Sequence, residues 1–93
     1  MTKSTNKQNS GFETLDSLIQ GERGIIKELL CTGLTRRRFM DMGLVNGTEV
    51  EVIMKSLSGD PVAYRVKGTQ LAIRNEDAHN IIIERIENNG RIN

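Results

Sequence analysis

From Thr48 to Ile86 apolar side chains keep returning at every second position. The pattern breaks only where Gly, Pro, Asn and Asp collect. In "TEVEVIMKSL", Val50, Val52 and Met54 share one face and Glu49, Glu51 and Lys55 the other. "VAYRVKG" places Val62, Tyr64 and Val66 inward and Arg65 and Lys67 outward, and "TQLAIR" adds Leu71 and Ile73 inward. A period of two is the period of a strand with one buried face. "SGDP" interrupts the run, and Pro61, which has no N–H for a ladder, belongs at a strand's first residue or at an edge. "NEDAHN" reads as a polar turn or one short helical turn. "IIIERI" supplies a last strand with Ile81 and Ile83 inward, and "GIIKELL" an earlier one. About five short strands joined by tight turns predict a mainly β fold, a small antiparallel barrel whose closure would hide the strand edges.

One segment does not alternate. In "LTRRRFMDMGL", Leu34, Phe39 and Met42 lie within about 140° on a helical wheel, so a short amphipathic helix is expected between the first and second of these strands. Arg38 falls on the same arc, where its stem can pack while its head reaches water. Gly43 takes the left-handed position that stops the helix, with Leu44 folding back on Phe39. Asn46-Gly47 then makes a tight turn. Upstream, Leu15 to Ile19 form one helical or 3₁₀ turn, ended at Gly21.

The ends read differently. Residues 1–11 are polar and cannot bury enough to offset their ordering entropy, so a disordered tail is expected there and a flexible C-terminus at 87–93. The folded unit is then 12–86.

Composition narrows the function. With 93 residues, 13 basic and 12 acidic, the net charge is only +1. A nucleic-acid binder usually carries a clear basic excess, and a single-strand binder several stacking rings. Phe12, Phe39 and Tyr64 are the only aromatics. A lone cysteine, Cys31, allows no internal disulfide and suits a reducing compartment. No apolar run is long enough to span a bilayer and no signal-peptide core opens the chain, so a soluble cytoplasmic protein is expected.

Chemistry-bearing clusters are scarce. There is no Gly-rich phosphate loop. One His and one Cys, without C-x-x-C or H-x-H, predict no metal site and no cofactor. His79 reads as a solvated turn residue, able at most to form a weak surface site with Asp77 and a second molecule. Cys31 reads as a small buried hydrophobe. Glu49 and Glu51 are spaced like solvated exterior carboxylates, and no catalytic residue is assigned. The local charge concentration is Arg36-Arg37-Arg38. It can be a solvated helix face with Arg37 and Asp41 paired at i, i+4, a partner-binding face of Arg36, Arg37 and Met40, since arginine and methionine are enriched at interfaces, or a nucleic-acid grip.

The ordered set "GERGIIKEL", "RRRFMDMGLVNGTEVEVI" and "SGDPVAYRVKGTQLAIRNEDAHNIII" resembles the FeoA family of bacterial ferrous iron uptake. Phe39, Met42, Gly43, Leu44, Gly47 and Val50 match its helix-to-turn signature, with Phe39 in place of the usual leucine. Gly59, Asp60 and Pro61 match its hairpin, and Leu71, Ala72, Ile73, Arg74, Asp77 and Ala78 its last segment. The resemblance covers about Leu15 to Ile86. It implies an SH3-like barrel that is not an enzyme and that docks on and regulates a FeoB-like membrane transporter GTPase, without membrane insertion. The same domain type ends DtxR-like metal-dependent repressors, so a stand-alone metal-responsive module is the first alternative, and a nucleic-acid-binding small barrel the second. The family motif supplies no metal ligands. Weak self-association, the sign of any effect on transport and the role of the N-terminal extension stay open.

Overall fold

The computed structural model describes residues 12–86. The tails at 1–11 and 87–93 lie outside the described residues. Among the described residues six strands form one antiparallel sheet: β1 (Phe12–Thr14), β2 (Arg23–Leu29), β3 (Glu49–Lys55), β4 (Val62–Val66), β5 (Thr69–Ile73) and β6 (Ile81–Ile86). Their spatial order is β1-β6-β2-β3-β4-β5. A 3₁₀ turn, Leu15–Ser17, follows β1, the helix α1 (Gly33–Asp41) joins β2 to β3, and the short helix α2 (Asn75–Ala78) joins β5 to β6.

Two expectations about the sheet need correction. It has six strands rather than five, because Phe12–Thr14 pairs with β6 through Phe12↔Glu84, Glu13↔Ile83 and Thr14↔Ile82. Three residues are too few to show a period in the sequence. Among the described residues the sheet is also not closed, since β1 and β5 do not pair and stand at its two ends. At these ends the 3₁₀ turn packs against α2. Leu15, Leu18 and Ala78 are fully or almost fully buried there.

The core is where the alternation puts it. Val50, Val52, Val62, Tyr64, Val66, Ile73, Ile81 and Ile83 are buried together with Ile26, Phe39 and Leu44. Met54 is not, at 53% exposed. Between Val52 and Met54 the β3–β4 register slips: Val52 faces Tyr64, but Met54 faces Ala63. The extra residue of this bulge reverses which face comes next and sends Met54 outward. Leu71, expected inside, is only half-buried, because β5 has a neighbour on one side alone. β2 bulges too, between Ile26 and Glu28, which lets both Ile26 and Leu29 reach the core.

Local chemistry sets the connections. The β4–β5 hairpin turns on Lys67-Gly68, both with positive φ (53° and 79°), the geometry that matches strand twist in a two-residue loop. Pro61 stands just before β4, where no ladder bond is asked of it. "NEDAHN" does form a helical turn, α2.

Candidate functional site

Helix α1 ends as its residues require. Gly43 has φ +96°, the Leu44 N–H donates to Phe39 O at 3.0 Å and the Gly43 N–H to Met40 O at 3.0 Å. This is a full Schellman stop, with Phe39 and Leu44 both in the core. Phe39 anchors the helix by its inner face. The outer face then follows from helical spacing: positions 33, 36, 37, 40 and 41 fall side by side. Leu34 belongs to neither arrangement. It is 82% exposed instead of packed, because α1 meets the core chiefly at its C-terminal turn, while Met42 beyond the helix packs partly against the core.

Gly33, Arg36, Arg37, Met40 and Asp41 line a shallow surface concavity of about 380 Å³. A second, of about 450 Å³, lies between α1 and β2 and is lined by Lys27, Glu28, Leu29, Arg36, Met40, Val45 and Asn46. Arg36 and Met40 line both and form the ridge between them. The fold thus brings the three sequence-selected residues together.

Their roles differ. The Arg36 Nη1 group donates to Leu29 O at 2.9 Å, so this arginine also ties α1 to the end of β2. The Arg37 side chain makes no hydrogen bond or ion pair among the described residues, so the Arg37–Asp41 pair of the solvated-face reading is not formed. Arg38 is exposed, its guanidinium carbon 5.9 Å from the Phe39 ring centre. Met40 is 43% exposed, and Leu30 and Leu34 add exposed apolar surface at the start of the helix. The face is a cationic rim around apolar ground.

The other singled-out residues lie elsewhere. His79 caps α2, is largely exposed, and its Nδ1 lies 3.0 Å from Asp16 Oδ2. Burial alone would push the Asp16 carboxyl up, but the hydrogen bonds from Thr14 and His79 hold it below its usual value. Cys31 is half-buried beside the core. Glu49 and Glu51 face outward and pair with Arg23 and Arg65 at 2.9 and 3.1 Å. No three His, Cys, Asp or Glu residues converge among the described residues. No described helix is long and apolar enough to cross a membrane.

One cluster had no signal in the sequence. Arg85 on β6 forks onto Glu13 of β1, with Nε–Oε2 at 3.0 Å and Nη2–Oε1 at 2.6 Å, and its Nη1 reaches Glu22. Glu13 and Arg85 lie 72 positions apart and meet through the β1–β6 pairing, while Glu22 comes from the loop before β2.

The model of the FeoA domain family matches residues 13–85. A Porphyromonas gingivalis protein, described as a Fe(2+) transport protein A/Fe(2+) transporter FeoB fusion, is 33% identical over 75 residues. That match takes in 81% of this chain and 9% of the relative, so the chain spans less than a tenth of its length. The solution structure of the FeoA protein of Chlorobium tepidum superposes with a TM-score of 0.76 at 30% identity, covering 80% of this chain and 70% of that one. FeoA of Stenotrophomonas maltophilia, solved with zinc and described as a prokaryotic SH3 domain protein, superposes at 0.67 with 24% identity, over 76% of this chain and 88% of that one. This last likeness carries the fold alone, which is SH3-like.

Proposed function

The chain belongs to the FeoA family, and from that premise we propose that it is a non-enzymatic accessory of ferrous iron transport that docks on a FeoB-type membrane transporter. The observation that carries this reading is the fused relative. In it a domain 33% identical to this chain is covalently joined to a transporter described as FeoB. Fusion holds two partners at high effective concentration, which is useful where the separate partners must meet. The outer face of α1 supplies the docking surface: Arg37 offers a cation without an ion pair among the described residues, Met40 the apolar centre and Arg36 the rim beside the α1–β2 concavity. Regulation follows if the face binds one conformation of the transporter better than another, because only differential affinity shifts such an equilibrium.

The test is titration of the cytoplasmic part of a FeoB-type transporter with wild type and with Arg37→Glu/Met40→Asp. Arg36 is left intact, because replacing it also removes its bond to Leu29 O. Binding is expected to weaken by about 30-fold, the scale of a central interface residue, while stability stays within about 0.5 kcal/mol. Unchanged affinity in the variant overturns the docking face. Absence of wild-type binding overturns the partner.

A further inference from the structure

The edge strand β5 is unusual in what it lacks. "TQLAI" holds no charge and no proline, and it pairs with β4 through five successive residues, Val62↔Ile73 to Val66↔Thr69, without a bulge. Exposed sheet edges are normally blunted by such devices, because an open row of N–H and C=O groups is a template for another strand. The closing pair of a two-residue hairpin is hydrogen-bonded, so Thr69, Leu71 and Ile73 bond inward to β4, and Gln70 and Ala72 turn their backbone groups to the free edge. No turn or loop backbone bond reaches either residue. Both are exposed.

The surface beside this edge is apolar. The register aligns Met54 with Ala63 and Ala63 with Ala72, a cross-strand row made possible by the β3 bulge. These three residues, with Ser56, Pro61 and Val62, line a shallow depression of about 220 Å³.

We propose that β5 is a self-pairing edge: two copies of this chain join β5 to β5 in antiparallel register, centred on Ala72. A two-fold axis there sets Ala72 against Ala72 and extends the apolar row across both copies as Met54–Ala63–Ala72–Ala72–Ala63–Met54. It sets Leu71 against Ile73 on the inner face and Gln70 against Arg74. No like charges meet. Lys67, at the turn before β5, is carried toward Glu76 and Asp77 at the start of the other copy's α2, so the ends are complementary in charge. A strand edge of five residues is smaller than a standard interface of about 800 Å² per partner, so the association is weak and appears only at high concentration. This proposal uses residues separate from the α1 face and does not rest on the transporter reading.

Sedimentation of the full chain across about 10 μM to 1 mM is the test, since an interface below standard size dissociates in this range. The wild type is expected to move from monomer toward dimer. Ala72→Lys puts two lysines against each other at the axis on an exposed position, and is expected to remain monomeric throughout with an unchanged melting temperature. Lys67→Glu is expected to weaken the dimer, and Lys67→Glu/Glu76→Lys/Asp77→Lys to restore it. Arg37→Glu/Met40→Asp is expected to dimerise as wild type does. A wild type that stays monomeric at the highest concentration overturns the proposal. So does a dimer that survives Ala72→Lys, or one lost in the α1 variant.

Discussion

Replacing Arg85 with methionine should show how much of the fold hangs on one side-chain fork. Methionine keeps an apolar stem of similar reach and removes the charge. The Arg85 side chain is 25% exposed, Glu13 27% and Glu22 31%, so the cluster sits between surface pairs and buried ones. Three charge-assisted contacts are lost, and two half-covered carboxylates are left without their cation. Surface pairs contribute up to about 1 kcal/mol, and breaking a buried pair costs about 3 to 5 kcal/mol. An intermediate value of about 2 kcal/mol at neutral pH is therefore expected, or a drop of about 10 °C in melting temperature for a domain of this size. The effect depends on pH with a definite sign. The Arg85 hydrogen bond is the main force holding the Glu13 carboxyl below its usual value of 4.5. Glu22 is also held down, first by the Ile19 N–H and then, against burial, by Arg85. A depressed folded-state pKa contributes stability above the unfolded value and loses it as pH falls through the folded one. The gap between wild type and Arg85→Met should therefore be full at neutral pH, start to close below about 4.5, and be mostly gone in stronger acid. Urea titrations along this series measure it. Arg65→Met is the control: its bond to Glu51 is between residues 53% and 35% exposed, and it should cost under about 0.5 kcal/mol. An Arg85 effect as small as the control's, or one that does not change between neutral and acid, refutes the reasoning.

Ile83→Ala should cost about 3 kcal/mol and Leu71→Ala only about 1 kcal/mol, because the first leaves a cavity in a fully buried site and the second trims a half-buried edge. Equal losses on denaturant titration would place Leu71 as deep in the core as Ile83. Gly43→Ala should cost about 1 to 2 kcal/mol, from φ +96° and a new Cβ 3.2 Å from Lys67 Cδ, and Gly43→Asn somewhat less, since asparagine tolerates the left-handed region better. A loss below about 0.3 kcal/mol by thermal denaturation would show that the helix stop is not strained by a side chain.

The sequence by itself determined five of the six described strands and most of their inner faces, because a period of two is a local property and burial follows from it. It determined the end of α1, since Phe39, Gly43 and Leu44 write the Schellman stop within six residues. It also placed Arg36, Arg37 and Met40 on one helical face, because spacing alone does that. Only the tertiary structure decided where the alternation fails. Met54 faces outward because β3 slips by one residue against β4, and a slip exists only between two strands. Leu71 is half-exposed because no described strand pairs beyond β5, which no property of "TQLAI" announces. The same limit applies to the charges. Arg36 was legible as a surface arginine, but its bond to Leu29 O depends on how α1 sits on β2, and the Glu13–Arg85–Glu22 fork exists only because β1, the loop before β2 and β6 converge. Local chemistry wrote the elements and their faces. Edges, bulges and long-range ion pairs belong to the assembled sheet, because each is a relation between segments that the chain keeps far apart.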